Sequence, residues 1–296
     1  MSDIVAPLLS KGVFEVRGPD AAKLLQGQST ADLNALTTGS WVLGGLCNVK
    51  GRLYANFILA RVQDDCFWLI MPAEHIDDTL SRLKKYAVFY KAELNNLSKA
   101  WHGLGYLLTS PADARPGEVE ASSTHVRIHL SGGHQMVWLN ALQEDAYERT
   151  LAALEAEANF ATETTWDNWE TTQGWVWVTS DTCEAWVPQM IAWDTLGGVS
   201  FKKGCFTGQE VVARLHYKGQ SKRQLFALHG TSGKPAAGAS VTLAESPKVL
   251  GEVIRVTHDQ TPWTGLAILS LPTLDTPSVD ALLIDGVSVD RIEQIN

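Results

Sequence analysis

The residues best placed to do chemistry lie in one stretch, Gly197–Gly219, which reads GGVSFKKGCFTGQEVVARLHYKG. Gly197, Gly198, Gly204 and Gly208 fall within twelve residues, and Lys202 and Lys203 stand just before Cys205. Glycine permits backbone conformations, or a close approach to a bound group, that a side chain would forbid. Thr207-Gly-Gln-Glu210 has the form of a capping box, with Thr207 as N-cap and Glu210 reaching back. The helix it opens carries Val211, Val212 and Leu215 toward a core and stops at Gly219. A thiol ahead of a helix N-terminus and beside two ammonium groups is favoured as thiolate. From Lys202 to Arg223 there are six Lys/Arg against one acid, Glu210, in a chain of formal charge −9. The same residues also fit an inert cysteine in a glycine-rich connection with a solvated basic edge. The stretch nominates a site without naming a reaction.

Beside it, Trp166–Trp193 holds six tryptophans: 166, 169, 175, 177, 186 and 193. Flat indoles with an N–H donor can wall a pocket for a planar heteroaromatic anion, although each ring taken singly is first a packing residue. A second basic patch, Arg82-Leu-Lys-Lys85 with Lys91, suits carboxylates or a polynucleotide, or is simply a solvated helix face. Other motifs fail. His125 and His129 sit on a strand pattern, no histidine pairs with Cys or carboxylate at ligand spacing, and no metal site is expected. Gly103-x-Gly105 lacks the third glycine and helix of a dinucleotide fingerprint. Cys47, Cys66, Cys183 and Cys205 form no C-x-x-C, which points to reduced thiols in the cytoplasm.

The elements that must position these residues read as α+β. Val13–Val16, Trp41–Cys47, Leu53–Arg61, Cys66–Met71, Val88–Leu94 and His102–Leu108 are strand-like, with a hairpin at Asn48-Val-Lys-Gly51. Ala21–Gln26, Glu74–Tyr86 and Leu142–Ala158 are helical, and Thr30 is placed to cap a short helix through Leu36. Residues 110–123 read as an exposed loop, and Val126–Leu130 with Met136–Leu139 as a hairpin about Gly132-Gly133. Beyond Lys222 come short strands ending in a hairpin, Ala281–Ile292, about Asp285-Gly286. Strands and helices without strict alternation favour antiparallel sheets. The 296 residues, 45% hydrophobic and 19% charged, suit a globular chain of two or three domains, with no apolar run long enough to span a bilayer and no signal peptide.

At Phe201–Glu210 the decamer FKKGCFTGQE resembles the signature of the YgfZ-type folate-binding proteins, relatives of the glycine-cleavage T-protein (aminomethyltransferase). LLQGQSTADL at Leu24–Leu33, LKKYAVFYK at Leu83–Lys91 and WVPQ…LGGVSFKKGC from Trp186 are similar to that family's pattern in the same order. The resemblance covers most of the chain. It implies a three-domain GcvT-like ring, with two α+β domains of antiparallel sheets (residues 1–95 and 96–220) and a C-terminal β-barrel (221–296). It also implies tetrahydrofolate binding and support of iron–sulfur enzymes, including a tRNA methylthiotransferase. Cys205 would be the reactive thiol, with Trp166, Gln173, Lys202, Lys203, Gln209, Glu210 and Arg214 on the folate side. A second family tryptophan falls on Lys11. Two departures stand out: the pterin-gripping glutamate of T-proteins is Thr172 here, and the strand Leu53-Tyr-Ala-Asn-Phe57 lacks their aspartate. These disfavour aminomethyl transfer. A folate-dependent methyltransferase or demethylase, and a tRNA-binding module using residues 82–91 and 202–223, are the alternatives.

Overall fold

The computed structural model describes residues 3–109, 115–219, 221–244, 246–258, 260–270 and 282–295. Part of the anticipated loop, 110–114, and Ala281 of the last hairpin lie outside them. The chain divides into two compact units: residues 1–166, 177–185 and 197–209, and residues 167–176, 186–196 and 210–296.

The first unit holds two sheets. One runs Ser40–Cys47, Leu53–Gln63, Cys66–Pro72, Lys11–Arg17, Glu93–Asn96, each pair antiparallel. Leu53–Gln63 is nearly continuous apolar sequence because both of its faces are covered, and eight residues in a row, Leu53–Ala60, are buried. The hairpin before it forms as expected: the Asn48 side chain accepts from Lys50 N–H (2.9 Å) and Arg52 N–H (3.1 Å), closing an Asx-type turn. Helix α1 (Ala21–Gln28) runs past the expected end at Gln26 and sends Leu24 and Leu25 into a core with Phe14, Phe57 and Phe67. Helix α2 (Ile76–Ala87) adds Ile76 and Leu83 to that core, each such burial being worth about 1.5–3 kcal/mol. No strand forms at Val88–Ala92. Phe89 N–H and Tyr90 N–H instead turn back onto the carbonyls of Tyr86 and Ala87, delaying the strand to Glu93.

The second sheet runs Asn159–Phe160, Ile4–Pro7, Trp101–Leu107, Gln135–Asn140, His125–His129, Val119–Ala121, antiparallel except for its first pair. His125 and His129 are on a strand as read, and Gly132 and Gly133 make the adjoining turn at positive φ. Gly103 and Gly105 lie on one face of their strand because indoles occupy the space: a Cβ on Gly103 would meet Trp138 at 2.9 Å, and one on Gly105 would run into Trp166. Helix α3 (Glu144–Glu157) belongs to this unit.

Helix α4 (Glu163–Thr172) is an element that hydrophobic spacing did not reveal, since its tryptophans obscure the period. The second unit contains the antiparallel sheet Val287–Ser288, Leu282–Ile284, Ser240–Leu243, Ser246–Val256, Trp263–Leu269, Gln224–Gly230, Arg291–Gln294, curled as a half-barrel. Its core gathers Phe226, Leu228, Val241, Val253, Leu269 and Ile284. Asp285 and Gly286, both at positive φ, turn the last hairpin. The fold is therefore α+β with antiparallel sheets, as the sequence implies. Among the described residues no helix is long and apolar enough to cross a membrane.

Candidate functional site

The candidate site is assembled in the first unit by the loop Gly197–Gln209 and the segment that leaves α1. Thr30, wholly buried, ties the two together. Its hydroxyl donates to Gly198 C=O (2.6 Å) and accepts from Gly45 N–H (2.8 Å), while its own C=O accepts from Ser200 N–H (2.9 Å). That use of Thr30 removes it from capping, and residues 31–36 form turns instead of the expected helix.

Lys203 completes the joint. Its Nζ donates to three backbone carbonyls, Gln26 (2.7 Å), Ser29 (2.6 Å) and Ala31 (2.7 Å), where α1 ends and its last C=O groups need partners. The ammonium also lies 5.4 Å from the centre of the Phe206 ring. Burial pulls its pKa down to about 8, with Asp32 opposing. Three acceptors match the three protons of an ammonium, so Lys203 is committed to the fold. Lys202, next to it, is exposed, and so is Cys205.

The helix after the cysteine starts later than the capping box predicts. Gly208 has φ +84, a conformation outside the helix, so helix α5 (Gln209–Lys218) begins at Gln209. Thr207 is not the N-cap, and its hydroxyl donates to Gln28 Oε1 (3.1 Å). A Cβ on Gly208 would collide with the Asn48 carbonyl, so glycine here brings the signature loop against the 48–51 turn. Gln209 is half-buried at the start of α5, and Glu210 and Arg214 are exposed on it.

The tryptophans are mostly interior: five of the six are buried, and only Trp169 is half-buried. Trp166 lies against Gly105, and Trp177 has the Lys11 ammonium 5.0 Å above its ring. In the second unit, Trp169 and Trp175 meet edge to face at 5.4 Å. There, too, Thr172 turns its hydroxyl onto Trp169 C=O (2.7 Å), and Gln173 is exposed. Nearby, wholly buried Glu170 accepts from Arg255 (2.9 Å), which also reaches Asp167 (2.6 Å). No local pattern marks that pair, because Arg255 is 85 residues away.

In the strand segment Leu53–Phe57, Asn56 is fully buried and accepts from Val178 N–H at 2.7 Å. A neutral amide so held supplies no general base. Among the described residues, His75, Asp78 and Cys183 bring ligand-type atoms within 4.8 Å of one another. His75 Nε2 already bonds Tyr54 C=O (2.6 Å), and the Arg82 guanidinium holds Asp78 (2.8 Å) and Glu184 (2.6 Å), so a cation is in place there. Burial pushes the thiols of Cys47 (up to about 12), Cys66 and Cys183 upward.

Residues 8–106 match the model of the GCVT N-terminal domain. The fold is that of the glycine cleavage system aminomethyltransferase T from Bartonella henselae, with a TM-score of 0.75 at 15% identity over 97% of this chain and 84% of that one. Among curated proteins, the chain is 34% identical to the tRNA-modifying protein YgfZ of Edwardsiella ictaluri over 74% of its own length and 69% of that relative. It is 31% identical to the YgfZ of Vibrio vulnificus, over 90% and 83%. At this level of identity and coverage, the chain belongs to the YgfZ family of tRNA-modifying proteins.

Proposed function

We propose that this protein is a tetrahydrofolate-binding accessory factor that supports assembly or repair of iron–sulfur enzymes in the cytoplasm, tRNA-modifying ones among them, with Cys205 as its working thiol. The observation that carries this reading is the contrast within the signature loop. Lys203, Thr30 and Gly208 fasten the loop to the fold, and Cys205 is left exposed upon it. A loop so anchored presents a thiol in a defined place, which a mixed disulfide or sulfur transfer with a client protein requires. Lys202 and Gln209 in the first unit, and Gln173, Glu210 and Arg214 in the second, are each exposed or half-buried, and the charges of Lys202 and Arg214 suit the carboxylates of a folate tail. Trp166 and Lys203 act from within, by shaping the elements beneath. The absence of a carboxylate from Leu53-Tyr-Ala-Asn-Phe57 favours an accessory role over aminomethyl transfer.

Calorimetric titration with tetrahydrofolate is the direct test, because with five of six tryptophans buried a fluorescence change alone is a weak reporter. Saturable binding supports the reading, and no heat at millimolar ligand removes it. Cys205→Ser is expected to abolish support of a client iron–sulfur enzyme without lowering the melting temperature. Full support by that variant would end the thiol role.

A further inference from the structure

The segment Lys84–Lys91, KKYAVFYK, closes α2 and carries more apolar surface than its packing uses. Leu83 and Ala87 are buried, and Tyr90 packs on the same core. The side chains between them face outward: Tyr86 is 39% exposed, Val88 72% and Phe89 81%. The backbone bonds Phe89 N–H to Tyr86 C=O (3.3 Å) and Tyr90 N–H to Ala87 C=O (2.9 Å) hold this turn, so the projecting ring belongs to hydrogen-bonded structure. Lys84, Lys85 and Lys91 are exposed, and none has an ion-pair partner among the described residues. The acids of α2 are at its other end, where Arg82 holds Asp78 (2.8 Å) and Asn96 holds Asp77 (2.8 Å). The nearby acids are Asp20, which accepts from Lys91 N–H (2.9 Å), and Glu93, exposed on the following strand.

The helix dipole accounts for Lys84 and Lys85 in the last turn. It does not account for Lys91, nor for a phenyl ring in water. An apolar protein partner would cover Val88 and Phe89 but would have to desolvate three unpaired ammonium groups. A partner carrying both phosphates and flat rings uses every member of the patch. We propose that Lys84–Lys91 is a binding surface for a single-stranded or looped stretch of RNA, with Lys84, Lys85 and Lys91 on its phosphates and Phe89 stacked on a base. In a chain of net charge −9 this contact is local and sensitive to salt. It stands apart from the folate reading, and its test uses no folate.

The test is fluorescence anisotropy of the full chain with two labelled probes, an oligouridine and an unmodified tRNA transcript, across a potassium chloride series. Wild type is expected to bind, with affinity falling steeply as salt rises. Lys84→Gln/Lys85→Gln/Lys91→Gln should reduce the log–log salt slope by about 2, at about 0.7 per single-strand phosphate contact. Phe89→Ala should weaken binding about tenfold or more and leave the slope unchanged. Lys218→Gln/Lys222→Gln, in the other basic segment, should bind as wild type. All these positions are exposed, and unchanged melting temperatures would confirm that folding is intact. Binding of neither probe at low salt, wild-type binding by Phe89→Ala, or an equal loss in the Lys218/Lys222 control would overturn the assignment.

Discussion

Replacing Lys203 by methionine separates a structural cation from a ligand contact. In the native chain Nζ donates to the carbonyls of Gln26, Ser29 and Ala31 at 2.6–2.7 Å, and the bonds to Ser29 and Ala31 are buried. Methionine keeps the length and apolar stem of lysine but removes all three donors. A buried carbonyl left without a partner costs about 1–3 kcal/mol, so the gross loss at Ser29 and Ala31 is roughly 2–6 kcal/mol. Part of this is returned, because the buried ammonium is itself held at a cost that pulls its pKa down to about 8. The net expectation is about 3 kcal/mol, or a melting temperature lower by about 6–12 °C. Arginine should not rescue it, since a planar guanidinium cannot converge on three carbonyls as an ammonium does. Urea denaturation of the variants gives the stability, and calorimetry with tetrahydrofolate gives binding in parallel. Wild-type stability combined with lost folate binding would refute the structural assignment and make Lys203 a ligand contact.

The same residue makes a pH prediction. Its folded pKa is below the unfolded value, so the unfolded chain binds more protons between about pH 8 and 10.5, and wild type should gain stability relative to Lys203→Met as pH rises through that window; parallel stability curves would contradict it. Gly208→Ala should destabilise by about 2 kcal/mol or more, since it combines a positive φ with a collision against Asn48 C=O, and a melting-temperature change under about 2 °C would show that the loop can yield. Titration of native protein with a disulfide reagent near pH 8 should modify one thiol quickly, and Cys205→Ser should remove that phase, because Cys47 and Cys66 are buried and the Cys183 thiol is pushed up. Arg255→Met should cost about 3–5 kcal/mol by leaving Glu170 charged and buried, with much of the loss recovered in Arg255→Met/Glu170→Gln; an uncompensated double variant would mean that the charge is not the cause.

What could be read before folding was whatever depends on neighbours along the chain. The Asn48–Gly51 and Asp285-Gly286 turns and the helix expected over Glu74–Tyr86 are all local patterns, and each is found in the structure. The readings that changed are those decided by partners far away. Thr30 has the form of a helix cap, but Gly45 and Gly198 take its hydroxyl. Thr207 also looks like a cap, but Gly208 is pressed against Asn48 into a conformation that a helix cannot use. Gly103 and Gly105 resemble fragments of a nucleotide fingerprint, and they are spaces cut for Trp138 and Trp166. The paired lysines make the point most directly. Lys202 and Lys203 are chemically identical and adjacent, so nothing within the decamer can assign them different work. Only the carbonyls of Gln26, Ser29 and Ala31, more than 170 residues away in sequence, turn Lys203 inward as a clamp on α1. Lys202 remains at the surface with Cys205. Of the two charges that first suggested an activated thiol, one therefore builds the platform, and the other stays exposed.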